Sequence, residues 1–312
     1  MRDAPGHDPR SRQAREEPDG KPELPRYGSY RIVGALGRGG VGAVYVGEHV
    51  LIGKRVAIKV LLPELSRSRE VVARFFHEAR SAASIQDPGI VEVFDFGYDG
   101  DGNAYIAMEL LHGENLAARL AARPRPSLAF LSYVGRQIAR SVGAAHAQHI
   151  VHRDLKPDNV FLADDPDLPF SARVKVLDFG MAKLTGEGPR TVITEKGALL
   201  GTPMYMAPEQ CRGLSDIDGR ADVYALGCML YEMACGHPPF VSGGVGLILG
   251  SHIYEPVPRP RALVPELPEA LEVILLRCLE KDPAARYPTM DELSRDLAQL
   301  AEAHGRAPRA AL

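Results

Sequence analysis

The chain has 312 residues, long enough for two lobes or one large domain, and its 45% hydrophobic and 25% charged content is ordinary for a soluble globular protein. A net charge of -3 gives no basic excess for nucleic acid and no polybasic block for a membrane surface. No apolar run reaches the ~18 residues of a membrane span, and the N-terminus lacks the apolar stretch of a secretory leader. Cys211, Cys228, Cys235 and Cys278 show no C-x-x-C spacing and no paired histidines, so they read as free thiols in a reducing cytoplasm.

Residues 1–26 are rich in Pro, Gly, Asp, Glu and Arg with hardly a large apolar residue, which predicts a disordered tail. Order is expected from residue 27. Tyr30 to Leu36, Val44 to His49 and Arg55 to Leu61 carry the Val, Ile and Tyr of strands, and Pro63 closes the third. From Ser68, apolar residues at Val71, Val72, Phe75, Phe76, Ala79, Ala82 and Ala83 fall at helical spacing. Val91 to Phe96 and Ala104 to Leu110 are two further strands around an Asp99-Gly100-Asp101-Gly102 turn. After Leu110 the pattern turns helical. Ser127 stands where it can cap a helix striped by Leu131, Val134, Ile138, Val142 and Ala145. Val160 to Leu162 and Arg173 to Leu177 read as short strands. Asp222 to Cys235, apolar almost all round, reads as a helix buried within the second lobe, and Leu271 to Leu279 and Met290 to Leu300 as closing helices. The expected class is therefore α+β: a small, mostly antiparallel lobe with one helix (27–109), a larger, mainly helical lobe (110–302), and a frayed end (303–312).

Four stretches place polar groups where a core has no use for them. The first is Gly37-Arg38-Gly39-Gly40-Val41-Gly42-Ala43-Val44, G-x-G-x-x-G-x-V. A dinucleotide fingerprint opens a helix after its glycines; here a strand follows, so the stretch reads as a hairpin whose backbone N–H groups approach phosphates closely. In Val56-Ala57-Ile58-Lys59 a cation alternates with apolar residues, and Glu78, on the apolar face of the following helix, is its candidate partner. Any one of these alone is matched by a plain glycine hairpin, an exposed strand lysine or a solvated helix glutamate. Next comes His152-Arg153-Asp154-Leu155-Lys156-Pro157-Asp158-Asn159, six polar side chains in eight residues, between a helix and a strand. Last is Asp178-Phe179-Gly180 at the end of an apolar strand. Asn159 and Asp178 offer the hard oxygens that Mg²⁺ takes together with phosphate oxygens and water.

With Ala207-Pro208-Glu209 added, these motifs run in the order of a protein kinase, and residues 30 to about 300 resemble the eukaryotic-like serine/threonine kinases of bacteria. The bacterial character lies in Gly-Arg-Gly-Gly-Val-Gly (37–42), Arg-Phe-Phe-His-Glu-Ala-Arg (74–80), Met-Ala-Pro-Glu-Gln (206–210) and Lys-Asp-Pro-Ala-Ala-Arg-Tyr-Pro (281–288). The resemblance implies the two-lobed kinase fold and transfer of the ATP γ-phosphoryl group to Ser/Thr hydroxyls of proteins, with Mg²⁺ or, as a substitute, Mn²⁺. By it, Asp154 receives the hydroxyl proton, Lys156 steadies the γ-phosphoryl charge, Lys59 holds the α- and β-phosphates, and Asn159 and Asp178 hold the metal. It sets the hinge at Glu109 to Leu111, Met108 behind the adenine, and Leu36, Val44, Ala57, Phe161 and Leu177 as its walls, under the glycine loop 37–44. It pairs Glu209 with Arg286, gives Asp222 the backbone of the catalytic loop, and puts Thr202 beside Asp154 and Lys156. Arg153 implies a phosphate on the activation segment, with Thr194 the first choice before Thr191 and Thr185, made by autophosphorylation between two copies. A pseudokinase is the rival reading, but Lys59, Asp154, Asn159 and Asp178 are all present; a small-molecule phosphotransferase is another, against which stand Thr202, Glu209 and Asp222. Asn159 to Asp178 is longer than usual in the family, with an acidic turn at 164–169. No sensor or membrane-spanning segment is expected after the kinase region.

Overall fold

The computed structural model describes residues 25–179, 203–241 and 243–304. Thr185, Thr191, Thr194, Thr202 and Gly180 lie outside the described residues, as do 1–24 and 305–312.

The first lobe is one six-stranded sheet. Its strands are β1 (Arg26–Tyr27), β2 (Tyr30–Arg38), β3 (Gly42–His49), β4 (Arg55–Leu61), and, after the short α1 (Pro63–Ser66) and the helix α2 (Arg69–Ser84), β5 (Val93–Tyr98) and β6 (Ala104–Glu109). The order is β1-β2-β3-β4-β6-β5, antiparallel throughout. Alternation along β4 divides its side chains. Val56, Ile58 and Val60 join Tyr30, Ile32 and Tyr105 in one apolar cluster, while Leu61 joins Val71, Val72, Phe75 and Phe76 of α2 in the other. Lys59 therefore lies on the α2 side. Ser68 caps α2, its Oγ accepting from Val71 N at 3.4 Å. Strand β1 starts at Arg26, inside the segment read as tail, because Arg26 and Tyr27 pair with Arg31 and Tyr30.

The second lobe opens with β7 (Gly113–Asn115), α3 (Leu116–Ala122) and α4 (Leu128–His146), whose N-cap is Ser127 as expected, its Oγ accepting from Phe130 N at 3.3 Å. Strands β8 (Val160–Asp164) and β9 (Ala172–Val176) form a small antiparallel sheet with β7. Between them, 165–171 folds back on itself. Asp165 takes Arg173 Nε at 2.9 Å, and the Phe170 ring meets Phe130 and Tyr133 at 5.3 and 5.4 Å. The long stretch before Asp178 is thus a packed tab. After α5 (Pro208–Cys211), α6 (Arg220–Cys235) is buried on all sides; only Arg220, Glu232 and Cys235 escape full burial. A Cβ on Gly227 would stand 2.5 Å from Cys278 Cβ, so glycine there sets how closely α6 meets α9. Helices α7 (Val245–Tyr254), α8 (Pro260–Leu263), α9 (Glu269–Cys278) and α10 (Met290–His304) complete the lobe. The lobes meet where 89–91 runs beside β9, with Val176 N donating to Gly89 O at 2.7 Å and Val91 N to Val176 O at 3.1 Å.

Candidate active site

The loop 152–159 leaves helical geometry after α4 and closes with a single 3₁₀ turn, Pro157–Asn159. Its shape comes from beneath. Asp222, near the start of α6 and 1% exposed, accepts Arg153 N on Oδ1 and both His152 N and His146 Nε2 on Oδ2, each at 2.8 Å. These bonds hold Arg153 at φ 65, a left-handed backbone uncommon for a side chain of that size. His152 is pinned twice. Its Nε2 meets Leu177 O at 2.9 Å, and a carbonyl only accepts, so Nε2 carries the proton; Nδ1 then accepts Asp154 N at 3.3 Å. The upper face of the loop presents the chemistry. Lys156 Nζ donates to Asp154 Oδ2 at 2.8 Å, and Asn159 Nδ2 donates to Asp154 O at 2.8 Å and Oδ2 at 3.1 Å. A carboxylate is fixed by a cation and an amide, all three half-buried or buried.

Asp178 follows β9, also at positive φ (56°), while the Phe179 ring packs 4.7 Å from His152 in the core. Burying Phe179 turns Asp178 toward the cleft, where its Oδ1 takes Lys59 Nζ at 2.7 Å. The same ammonium reaches Glu78 Oε1 at 3.3 Å, as the sequence led us to expect. One cation thus serves two carboxylates, and the nearer one holds it. Burial alone lowers the Lys59 pKa, but Asp178 and then Glu78 outweigh it and the net change is upward. Burial also works against the Asp178 anion, yet Lys59 prevails and its pKa lies below the usual range. Glu78 fares worse: burial, reinforced by the Asp178 charge, carries it up to about 8 despite Lys59, and its Oε2 is buried without a hydrogen-bond partner.

Above this cluster β2 and β3 form the expected hairpin, closed by Gly39 N donating to Gly42 O at 2.8 Å. A Cβ on Gly42 would fall 2.0 Å from Val60 O, so packing demands that glycine. A Cβ on Gly37, Gly39 or Gly40 would meet nothing within 4 Å, so the fold does not require these three, which suits a surface that something polar approaches. Register sets Val44 opposite Lys59, and Ala57 between Val46 and Met108. Leu36, Val44, Phe161 and Leu177, the expected walls of the adenine site, stay partly exposed. Leu177 N donates to Asn159 O at 2.9 Å, which ties the end of β9 to the loop. Where the lobes join, the Glu109 carboxylate accepts Lys175 Nζ at 2.5 Å and Glu92 N at 2.8 Å. Below, Arg286, 2% exposed, grips Glu209 with two bonds of 2.8 Å and spends its other N–H groups on Arg220 O, Glu280 O and Lys281 O. Gln210 bridges this region to the loop, its Nε2 donating to Arg153 O at 2.8 Å.

Asn159 and Asp178 fit a hard divalent cation. The Asn159 amide nitrogen is committed to Asp154, which leaves its oxygen as the available donor, and the described bonds of Asp178 leave Oδ2 unused. Among the described residues no group of three or more His, Cys, Asp or Glu is arranged to hold a metal, so such an ion would draw its remaining ligands from phosphate and water.

Lys175, His152, His146 and Gln210 join the site without being among the expected site residues. His152 and Gln210 lie inside the motifs, and Lys175 alternates with apolar residues along β9 as Lys59 does along β4, which is its sequence signal.

A two-lobed molecule with a glycine hairpin, a paired lysine and an Asp–Lys–Asn loop has the arrangement of a protein kinase domain. The protein kinase domain model matches residues 30–297, and the chain belongs to that family. Among curated proteins it is similar to serine/threonine-protein kinase Pkn1 of Myxococcus xanthus, 46% identical over 264 residues, covering 84% of this chain and 37% of Pkn1. It is also similar to the DNA damage-responsive serine/threonine-protein kinase RqkA of Deinococcus radiodurans, 41% identical over 81% of this chain and 37% of RqkA. The chain thus spans about two fifths of the length of these relatives. The crystal structure of the Mycobacterium tuberculosis PknI kinase domain superposes with a TM-score of 0.69 at 27% identity, covering 90% of this chain and all of that one.

Proposed function

We propose that this chain is an active serine/threonine protein kinase that uses ATP with Mg²⁺ and phosphorylates protein hydroxyls, its own activation segment among them. One observation carries the reading: Asp154, Lys156 and Asn159 share a hydrogen-bonded cluster of 2.8–3.1 Å, and the Lys59–Asp178 pair stands at the strand end tied to that loop. The substrate oxygen attacks the γ-phosphorus, the bond to the β-phosphate bridging oxygen breaks, ADP departs, and the hydroxyl proton goes to Asp154. Lys156 offsets charge on the moving phosphoryl group. Lys59 holds the α- and β-phosphates and the glycine hairpin covers them. A divalent ion held by Asn159 and Asp178 supplies neutralisation of phosphate charge. Glu109 to Leu111 receives the adenine, with Met108 behind it and Leu36, Val44, Ala57, Phe161 and Leu177 around it.

Mg²⁺ is the proposed ion and Mn²⁺ its substitute, since oxygen ligands suit both. Thr194 is the proposed regulatory phosphosite, its phosphate the proposed counter-charge of the exposed Arg153, and Thr202 the proposed partner of Asp154 and Lys156. A second copy is the proposed agent of transfer to Thr194, and α7, which leaves Leu247 and Tyr254 64% and 81% exposed, offers apolar surface for it. A cytoplasmic site of action belongs to this reading; among the described residues no helix is long and apolar enough to cross a membrane. The test is incubation of the protein and of Asp154→Asn with Mg-ATP, followed by mapping of phosphosites by mass. Phosphate on Thr194 or its neighbours in the parent alone supports the reading. ATP binding with no phosphate on the protein or on a basic substrate overturns it.

A further inference from the structure

Gln210 is the third residue of α5, and its half-buried amide is used at both ends. Its Oε1 accepts Ala207 N at 3.0 Å, and its Nε2 donates to Arg153 O at 2.8 Å. The partners fix which way the amide points, since Ala207 N can only donate and Arg153 O can only accept. The first bond is an ordinary helix cap, in which a third-position Gln or Glu turns back to the backbone N–H before the helix. The second serves no local purpose. It crosses 57 residues of sequence to the carbonyl just before Asp154.

That carbonyl belongs to the planar peptide unit that also carries Asp154 N, so its direction sets where the Asp154 side chain leaves the backbone. The unit is held at two points. Gln210 takes the oxygen at 2.8 Å, and His152 Nδ1 accepts the N–H at 3.3 Å, the longer bond. The preceding unit is held by Asp222, whose Oδ1 accepts Arg153 N at 2.8 Å. Both polar backbone groups of Arg153, a residue at φ 65, are therefore fixed by side chains from outside the loop. Gln210 is itself on firm ground. Its neighbour Glu209 is gripped twice by Arg286 at 2.8 Å, Leu214 N donates to Glu209 O at 3.1 Å, and Tyr205 OH, earlier in the same segment, donates to Glu232 Oε2 at 2.7 Å.

We propose that Gln210 is a positioning residue for phosphotransfer: through the Arg153 carbonyl it orients the peptide unit of Asp154, and so makes the geometry of that carboxylate depend on the folded segment 203–211. The inference rests on the reading of Asp154 as the group that receives the hydroxyl proton. With 203–211 in place, the unit is held at both ends. When that segment shifts, the unit falls back on the longer bond to His152. Gln210 touches neither substrate nor nucleotide in this scheme and acts through the backbone alone.

Gln210→Glu separates the cap from the link. Glutamate there still accepts Ala207 N, and an acid suits a helix N-terminus, so the cap is kept. It loses the donor, and its second oxygen faces the Arg153 carbonyl, acceptor against acceptor. Gln210→Met removes both bonds without adding charge. Measured on the full chain with Mg-ATP and a soluble peptide, both variants are expected to lower kcat roughly tenfold with KM for ATP unchanged. Hydrogen exchange followed by mass is expected to quicken roughly tenfold in residues 151–156 and to stay at the parent's rate in α6. The urea midpoint of Gln210→Glu is expected to match the parent's. Parental kcat in Gln210→Glu overturns the proposal, because a cap alone tolerates the acid, and so does parental exchange in 151–156. A lowered urea midpoint with quickened exchange in α6 assigns Gln210 to general stability and overturns it too. A parent that transfers no phosphate defeats the reading of Asp154 and the proposal with it, whereas an active parent with equally active variants defeats the proposal alone.

Discussion

Replacing Asp222 by asparagine isolates what holds the catalytic loop in place. The side chain keeps its volume and loses its charge and one acceptor. With the amide oxygen at the Oδ2 position, His152 N and His146 Nε2 remain paired, but the new NH₂ faces Arg153 N, donor against donor. The flipped amide loses two bonds instead of one. The better rotamer strands one buried N–H, costing about 1–3 kcal/mol, and converts two charge-assisted bonds to neutral ones at about 1 kcal/mol each. The total, about 3–5 kcal/mol, is a large fraction of the roughly 5–15 kcal/mol by which domains are stable. Arg153, no longer held at φ 65, relaxes toward an ordinary backbone and carries Asp154 with it. A displacement of about 1 Å at a reacting group costs roughly 100-fold in rate. Urea denaturation followed by circular dichroism, with steady-state kinetics on a peptide, is therefore expected to show that loss of stability. It is expected to show kcat reduced roughly 100-fold while KM for ATP changes little, since Lys59 and the hinge sit on other elements. A loss under about 1 kcal/mol with kcat unchanged would refute the idea that Asp222 positions the loop.

Other consequences are as direct. Arg286→Ala leaves the Glu209 carboxylate buried without its cation and should cost about 3–5 kcal/mol in urea denaturation, whereas Arg286→Met with Glu209→Leu should cost less than the single change. His252 is fully buried against Tyr224, its Nδ1 2.8 Å from the hydroxyl, and burial, then Lys281, brings its pKa down to about 4. The unfolded chain takes that proton near pH 6.5, so stability rises with pH between about 4 and 6.5 and is lost on acidification through that window, by about 3 kcal/mol in all. His252→Gln should remove this part of the slope in denaturation at stepped pH, and an unchanged slope would show that His252 is not its source. Lys175→Met frees Glu109 at the hinge; KM for ATP is expected to rise roughly tenfold with kcat nearly kept, because the hydrogen bond lost orders the binding edge rather than the reacting groups. Equal KM in parent and variant would dismiss that role.

Most of this site was legible because charge inside an apolar period is expensive and therefore informative. Lys59 on β4 and Glu78 on the buried stripe of α2 each break a pattern, and each is partnered. Glu209 and Arg286, 77 residues apart, and Asp222 with the catalytic loop are joined by the family resemblance, since no local period links them. Local reasoning stopped where distance between lobes decides the outcome. That Lys59 lies nearer Asp178 than Glu78 depends on how β9 meets the upper sheet. Strand β1 has two residues, too few to show a period. Helix α7 has no clear sequence signal, because Gly244, Gly246 and Gly250 flank or interrupt Val-Gly-Leu-Ile-Leu and its apolar residues mark no single face. Phe170 at φ 59 defies propensity, and its aromatic contacts with Phe130 and Tyr133 account for it.

Glu78 gives α2 a conditional seat. The helix is drawn in by Val71, Phe75 and Phe76, but it brings an acid whose Oε2 has no partner and whose Oε1 holds only the weaker end of a shared cation. Neutralise Asp178 from the cleft, and Lys59 is released to close on Glu78; withdraw that neutralisation, and the helix again carries a buried carboxyl with one oxygen unpartnered. Occupancy of the cleft and the set of α2 are then two ends of one thermodynamic linkage. Whatever favours the inward helix must strengthen binding in the cleft by the same factor, and whatever fills the cleft must return that factor to the helix.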